Sequence, residues 1–221
     1  MSIDLVETGI EYVRWSLFIA SADAIVLAML LVLSLLITPL ATYILTVIIS
    51  YFLVISTVIP YALIVILWML GFRYLARYSR RYLVGFVGSL VMVFSYFMNA
   101  AYMGYLVVNE LAGNILVPRL ILPEPIILAY TRYFIVFSLY LPLPIFISLI
   151  LGMLGAILSM LALYRFGYDF KATRVRLGAL LTIIGILLII TPLVSGFLIG
   201  VGSMVLTLDL GNVIEKIELM R

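Results

Sequence analysis

Cysteine, histidine and glutamine are absent from the 221 residues, and lysine occurs only at Lys171 and Lys216. Without cysteine the chain has no disulfides and no thiol nucleophile. Without histidine it has no histidine-ligated haem, no usual zinc or copper site and no imidazole acid–base catalysis. Most intramembrane redox enzymes are excluded on these grounds. Charge is scarce too: 10% of residues are charged, against about 25% in soluble domains. The sequence contains no Walker loop, GxGxxG, GxSxG elbow, HExxH or paired-carboxylate motif, and its Ser and Thr have no His with which to form a triad. The expectation is a protein that is not an enzyme and needs no metal or cofactor.

Apolar sequence is abundant, at 67% of residues and a mean hydropathy of +1.34. Four stretches lack any charged side chain: Ala24 to Phe72, Tyr82 to Asn109, Tyr133 to Tyr164 and Leu177 to Leu208. Each exceeds the roughly 20 residues that cross a hydrocarbon core as helix. The fold class expected is an all-α, polytopic integral membrane bundle in one domain, 1–221, whose partners begin with the lipid bilayer itself. The formal charge of +3 does not point to nucleic acid, because the cations concentrate in two short loops, as a topology signal would. The missing glutamines and cysteines suggest a thermophilic, archaeal source.

Ile3, Val6, Ile10, Val13 and Leu17 repeat at helical spacing, with Asp4, Glu7, Glu11 and Arg14 on other faces. Residues 1–16 therefore suggest an amphipathic interfacial helix, with Trp15 as anchor, and the three acids argue against a cleaved secretory signal. Residues 17–72 are too long for one crossing, and Thr38-Pro39 is the natural break between two, with Pro60 inside the second. Residues 73–81 hold Arg73, Arg77, Arg80 and Arg81 and no acid, a cytoplasmic loop by the positive-inside rule.

A third span over 82–108 follows, then an outer cap over 109–141, apolar but interrupted by Pro118, Pro123 and Pro125. A fourth span over 142–164 leads to a second basic loop, 165–176, with Arg165, Lys171, Arg174 and Arg176. Two basic loops on one side require an even number of spans between them, and the sequence supplies two. Residues 177–208, broken at Thr191-Pro192, are expected to cross once, because the two halves are shorter than the roughly 17 residues a crossing needs. That gives about five spans, six if the segment is a short hairpin. It also puts the N-terminus in the cytoplasm and the tail, 209–221, outside.

The third span carries one non-random face, with Gly85, Gly88, Met92, Ser95, Asn99 and Tyr102 alternating at three and four residues. Such a face belongs against another helix; the functional alternative is a polar pathway through Ser95, Asn99 and Tyr102. Small-residue seams recur at Ser148, Gly152, Gly155 and Ser159, at Gly178, Thr182 and Gly185, and at Gly196, Gly200 and Ser203. Asp23 is the one acid inside a candidate span, either a proton or cation carrier or part of a Ser21-Ala-Asp23 helix cap at the interface. Glu110 and Arg132 are candidates for an ion pair at the outer rim, and Arg119 and Glu124 flank the proline cluster.

Two functions are consistent with this sequence. The first is a non-catalytic membrane subunit or scaffold, part of a larger assembly or a homo-oligomer and conceivable within a translocation conduit. The second is a small transporter or channel using Asp23 and the third-span face.

Overall fold

The computed structural model describes residues 3–36, 39–111, 143–188 and 191–219. They form six helices, α1 (Ile3–Leu36), α2 (Pro39–Tyr78), α3 (Leu83–Leu111), α4 (Leu143–Asp169), α5 (Thr173–Leu187) and α6 (Pro192–Glu218), with a 3-10 turn at Arg80–Tyr82. Among the described residues, four apolar stretches are long enough to cross a membrane: Ile59–Tyr78, Arg80–Tyr102, Phe146–Asp169 and Val194–Ile217. The chain is a helical membrane bundle. Its outward side chains are those that lipid accepts, among them Phe94, Phe97, Leu154, Phe197 and Leu208.

The helices close into a ring in which α1 packs on α2 and α6, α3 on α2 and α4, and α5 on α4 and α6. Glycine brings the backbones together at each tight seam. A Cβ on Gly71 would lie 2.7 Å from the Gly9 carbonyl oxygen, and one on Gly202 would lie 2.9 Å from the Gly178 carbonyl oxygen. Without a hydrophobic driving force between helices in lipid, this close backbone approach is a main source of association.

A core of large side chains gathers at one end of the ring. Val13, Leu17, Phe72, Leu75, Tyr82, Leu163, Phe166, Val175, Leu206 and Leu210 form one cluster, and all are essentially inaccessible. Where this end meets water, full burial of one such side chain contributes about 1.5–3 kcal/mol.

The Ile3-to-Leu17 stripe is helical, as its spacing requires, but it forms the opening turns of one continuous α1. Val6, Ile10, Val13 and Leu17 are 0–2% exposed, facing the protein core. Gly9 sits against Gly71 and Leu75 of α2, so helix packing takes up the surface expected to lie on lipid headgroups. Of the expected Thr38-Pro39 break, Pro39 opens α2 and Thr38 lies outside the described residues, and α2 continues as helix through Pro60.

The segment 177–208 is a helical hairpin instead of one kinked span. Gly178 faces Leu206, and Gly185 faces Ile199, which makes α5 and α6 antiparallel. The Ser195 hydroxyl donates to the Gly185 carbonyl at 2.8 Å across the turn. Pro192 opens α6, where a missing N–H and a fixed φ are no handicap. The length objection is lifted for α6, which does not stop at Leu208 but continues through Asp209 to Glu218. Helix α5, at 15 residues, stays short of the roughly 17 a crossing needs, and its antiparallel packing on α6 is what makes the hairpin. Within α6, Gly200 packs on Ala24 and Ile25 of α1 while Gly202 forms the seam with α5, so the Gly196–Gly200 pair is not that seam. The hairpin also returns α6 to the end of the ring that carries the basic loops, whereas a single crossing would have ended at the opposite one. The cap expected over 109–141 has its first three residues in α3, and 112–141 lie outside the described residues.

Candidate functional site

Among the described residues, a polar junction deep in the bundle joins α2, α3 and α4. Helices α3 and α4 run antiparallel, because a Cβ on Gly88 would lie 2.6 Å from the Gly155 carbonyl oxygen, and Gly152 faces Ser95. At that register the Ser95 hydroxyl donates to the Ser148 carbonyl at 2.7 Å, and the Ser148 hydroxyl donates to the Ser95 carbonyl at 3.0 Å. Tyr61 reaches in from α2 with its hydroxyl hydrogen-bonded to Ser95 and its ring 5.7 Å from that of Tyr96. Lower on the seam, the Ser159 hydroxyl donates to the Gly155 carbonyl at 2.9 Å and approaches that of Gly85 at 3.3 Å. Ser95, Ser148 and Ser159 are each at most 4% exposed. Hydroxyls so bound satisfy one another, leaving the small face from Gly85 to Ser95 closed against α4.

Asn99 and Tyr102 continue along α3 and are partly buried. The Asn99 side-chain oxygen is enclosed and has no hydrogen-bond partner among the described residues. In a low-dielectric interior an unpaired amide oxygen costs about 1–3 kcal/mol, so among the described residues packing leaves the Asn99 side-chain oxygen unsatisfied.

Asp23 lies well inside α1 and is half-buried. The Ser21 hydroxyl donates to the Phe18 carbonyl at 2.8 Å within the same helix, so Ser21-Ala-Asp23 caps no helix end. Tyr12, Ser16 and Asp23 are in phase on α1 to within roughly 40°, and Tyr12 stacks on Tyr74 with ring centroids 5.9 Å apart. The carboxylate therefore stands on the flank of α1 turned toward α2. Of the expected rim charges, Glu110 stands near the end of α3 with its side chain outside the described residues, as are Arg119, Glu124 and Arg132.

The structure draws a second constellation together at the basic end, and sequence spacing does not reveal it. The Tyr82 hydroxyl donates to Asp169 Oδ2 at 2.9 Å, and Arg81 lies 3.7 Å from Asp169 Oδ1. The first basic loop is thereby fastened to the second, which places both at one end as the span parity demands. Asp209 of α6 accepts the Val175 N–H at 3.1 Å and is steadied by Asn212 at 3.3 Å. It caps α5, whose own N-cap, Ala172, offers no side-chain acceptor. Two grooves open here. One, of about 490 Å³, mixes Lys171, Arg174 and Lys216 with Asp209 and Glu215. The other, of about 390 Å³, is lined by Arg81, Tyr164, Arg165, Tyr168 and Asp169.

The signal for Asp169 and Asp209 is that each is a lone acid where cations or apolar residues prevail, although nothing in the sequence names its partner. No family model matches the chain, and neither the curated proteins nor the solved structures compared with it include a significant match.

Proposed function

We propose that the chain is a non-catalytic integral membrane subunit or scaffold, held in the cell membrane with its basic end in the cytoplasm. The observation that carries this reading is the closure of the α3 face: Gly85, Gly88, Ser95, Ser148, Gly155 and Ser159 bond and pack with one another. A face so used does not conduct. What remains for a partner is a broad apolar exterior, with Phe94 and Phe97 of α3 at 62% and 65% exposure, suited to lipid or to other transmembrane helices. With the basic loops inside, the hairpin brings the end of α6 to the cytoplasmic side along with the start of α1. Purification from native membranes in mild detergent should recover a stable assembly, either homo-oligomeric or with other membrane proteins. A lone monomer would refute the reading.

A second reading, a small transporter, rests on Asp23. A carboxylate inside a helix of a membrane bundle is a functional suspect by default, and its place within continuous α1 removes the capping alternative. Reconstituted liposomes should then show an ion or proton flux that Asp23→Asn abolishes, and equal flux in both forms would remove Asp23 from consideration.

A further inference from the structure

We propose that the groove between the 3-10 turn Arg80–Tyr82 and the end of α4 is a binding site for the headgroup of an anionic phospholipid. Its walls are Arg81 and Arg165, two tyrosines, Tyr164 and Tyr168, and a single acid, Asp169. That acid is already engaged, since one oxygen accepts the Tyr82 hydroxyl at 2.9 Å. The other oxygen lies 3.7 Å from Arg81, which is 76% exposed. A pair this long and this open holds the guanidinium only weakly, leaving Arg81 able to turn to a phosphate. Arg165 lines the same groove and is exposed. Arg176 stands 6.0 Å from the centroid of the Tyr168 ring, adding positive charge beside the groove.

The surroundings specify a lipid. Leu154, Leu161, Arg165 and Tyr168 follow one another at intervals that keep them on one side of α4. Leu154 and Leu161 are exposed apolar side chains, and Tyr168 is 70% exposed. On α3 the matching outer stripe is Leu83, Val87 and Leu90, also exposed. The apolar flank thus runs into the groove, giving acyl chains a surface below and a phosphate two guanidinium groups above. Tyrosine and arginine occupy the level where headgroups lie. The larger groove lacks this form, because Asp209 and Glu215 offset its cations.

The test is native mass spectrometry of the full chain released from nanodiscs of phosphatidylglycerol or phosphatidylcholine, comparing Arg81→Gln/Arg165→Gln with Arg73→Gln/Arg77→Gln. The two double variants remove equal charge from the same end of the molecule. A basic side chain at the membrane surface changes anionic-lipid binding about fivefold. Retained phosphatidylglycerol should therefore fall by more than about tenfold in the groove variant and stay near the unmodified level in the other. Equal losses in both variants would mean diffuse attraction and would overturn the site, as would equal retention of the two lipids by the unmodified chain. Displacement of phosphatidylglycerol by inorganic phosphate at equal concentration would overturn the assignment to a lipid. All four arginines are exposed, and thermal unfolding of each variant in detergent should match the parent.

Discussion

Ser95 and Ser148 exchange hydrogen bonds across the α3–α4 seam, each hydroxyl donating to the other's carbonyl, at 2.7 and 3.0 Å. The exchange locks two antiparallel helices in one register. It also makes the polar face of α3 an internal surface, from which the first prediction follows.

Gly88→Leu should be severely destabilising and Phe94→Leu nearly silent. A Cβ at 88 would already stand 2.6 Å from the Gly155 carbonyl oxygen and 2.9 Å from Leu158 Cβ, so a larger side chain must part the helices. Overpacking of this kind costs about 1–3 kcal/mol or more. Phe94 is 62% exposed, and lipid accepts leucine as readily. Thermal unfolding in detergent distinguishes the two, and an unchanged transition for Gly88→Leu would mean that the seam does not exist.

Tyr82→Phe should loosen the basic end without disturbing the seam. The ring remains packed on Phe166, at 5.8 Å between centroids, while the bond to Asp169 is lost. Hydrogen bonds to charged groups contribute about 1.5–3 kcal/mol. Faster hydrogen exchange over 79–83 and 166–172, with 88–95 unaffected, is the expected pattern.

Lys171→Gly should stabilise the protein. Lys171 has a φ of 52°, and the bonds from Ala172 N–H to the Gly167 carbonyl and from Lys171 N–H to the Tyr168 carbonyl, at 2.8 and 3.2 Å, are those of a Schellman C-cap. A left-handed backbone costs a non-glycine residue about 1–2 kcal/mol, less the unfolded-state entropy that glycine restores. The net expectation is a gain of about 0.5–1 kcal/mol in unfolding free energy. Asp209→Ala should move the other way by about 0.5–2 kcal/mol, because α5 loses its cap.

The α5–α6 hairpin requires positions 79, 173 and 212 to share one side of the membrane and position 191 to lie on the other. The chain has no native cysteine, so Ser79→Cys, Thr173→Cys, Asn212→Cys and Thr191→Cys each report singly. On intact cells an impermeant thiol reagent should modify the Thr191→Cys protein and spare the other three. Modification at 212 with protection at 79 would restore the single crossing.

The helical membrane class was legible because uncharged runs of such length have no other use, and the α3 seam because small and polar residues align on one face only. Two features escaped for physical reasons. The periodic stripe from Ile3 to Leu17 looks the same whether it meets lipid or protein, and only the presence of Gly71 and Leu75 opposite Gly9 decides it. The extent of α6 was hidden because Asp209 resembles the start of a solvated tail. In the fold it is an interior helical residue whose carboxylate serves the N-terminus of α5, a partnership 34 residues distant in sequence.

Closure of the polar face within a single chain is tested most directly by Ser95→Cys/Ser148→Cys oxidised in native membranes. The account predicts a disulfide inside one chain, no covalent dimer, and negligible reaction of either thiol with a water-soluble reagent before oxidation. Ready labelling of the thiol at position 95 from water, or a dimer linked through it, would contradict the account and put the face in a pathway or between subunits.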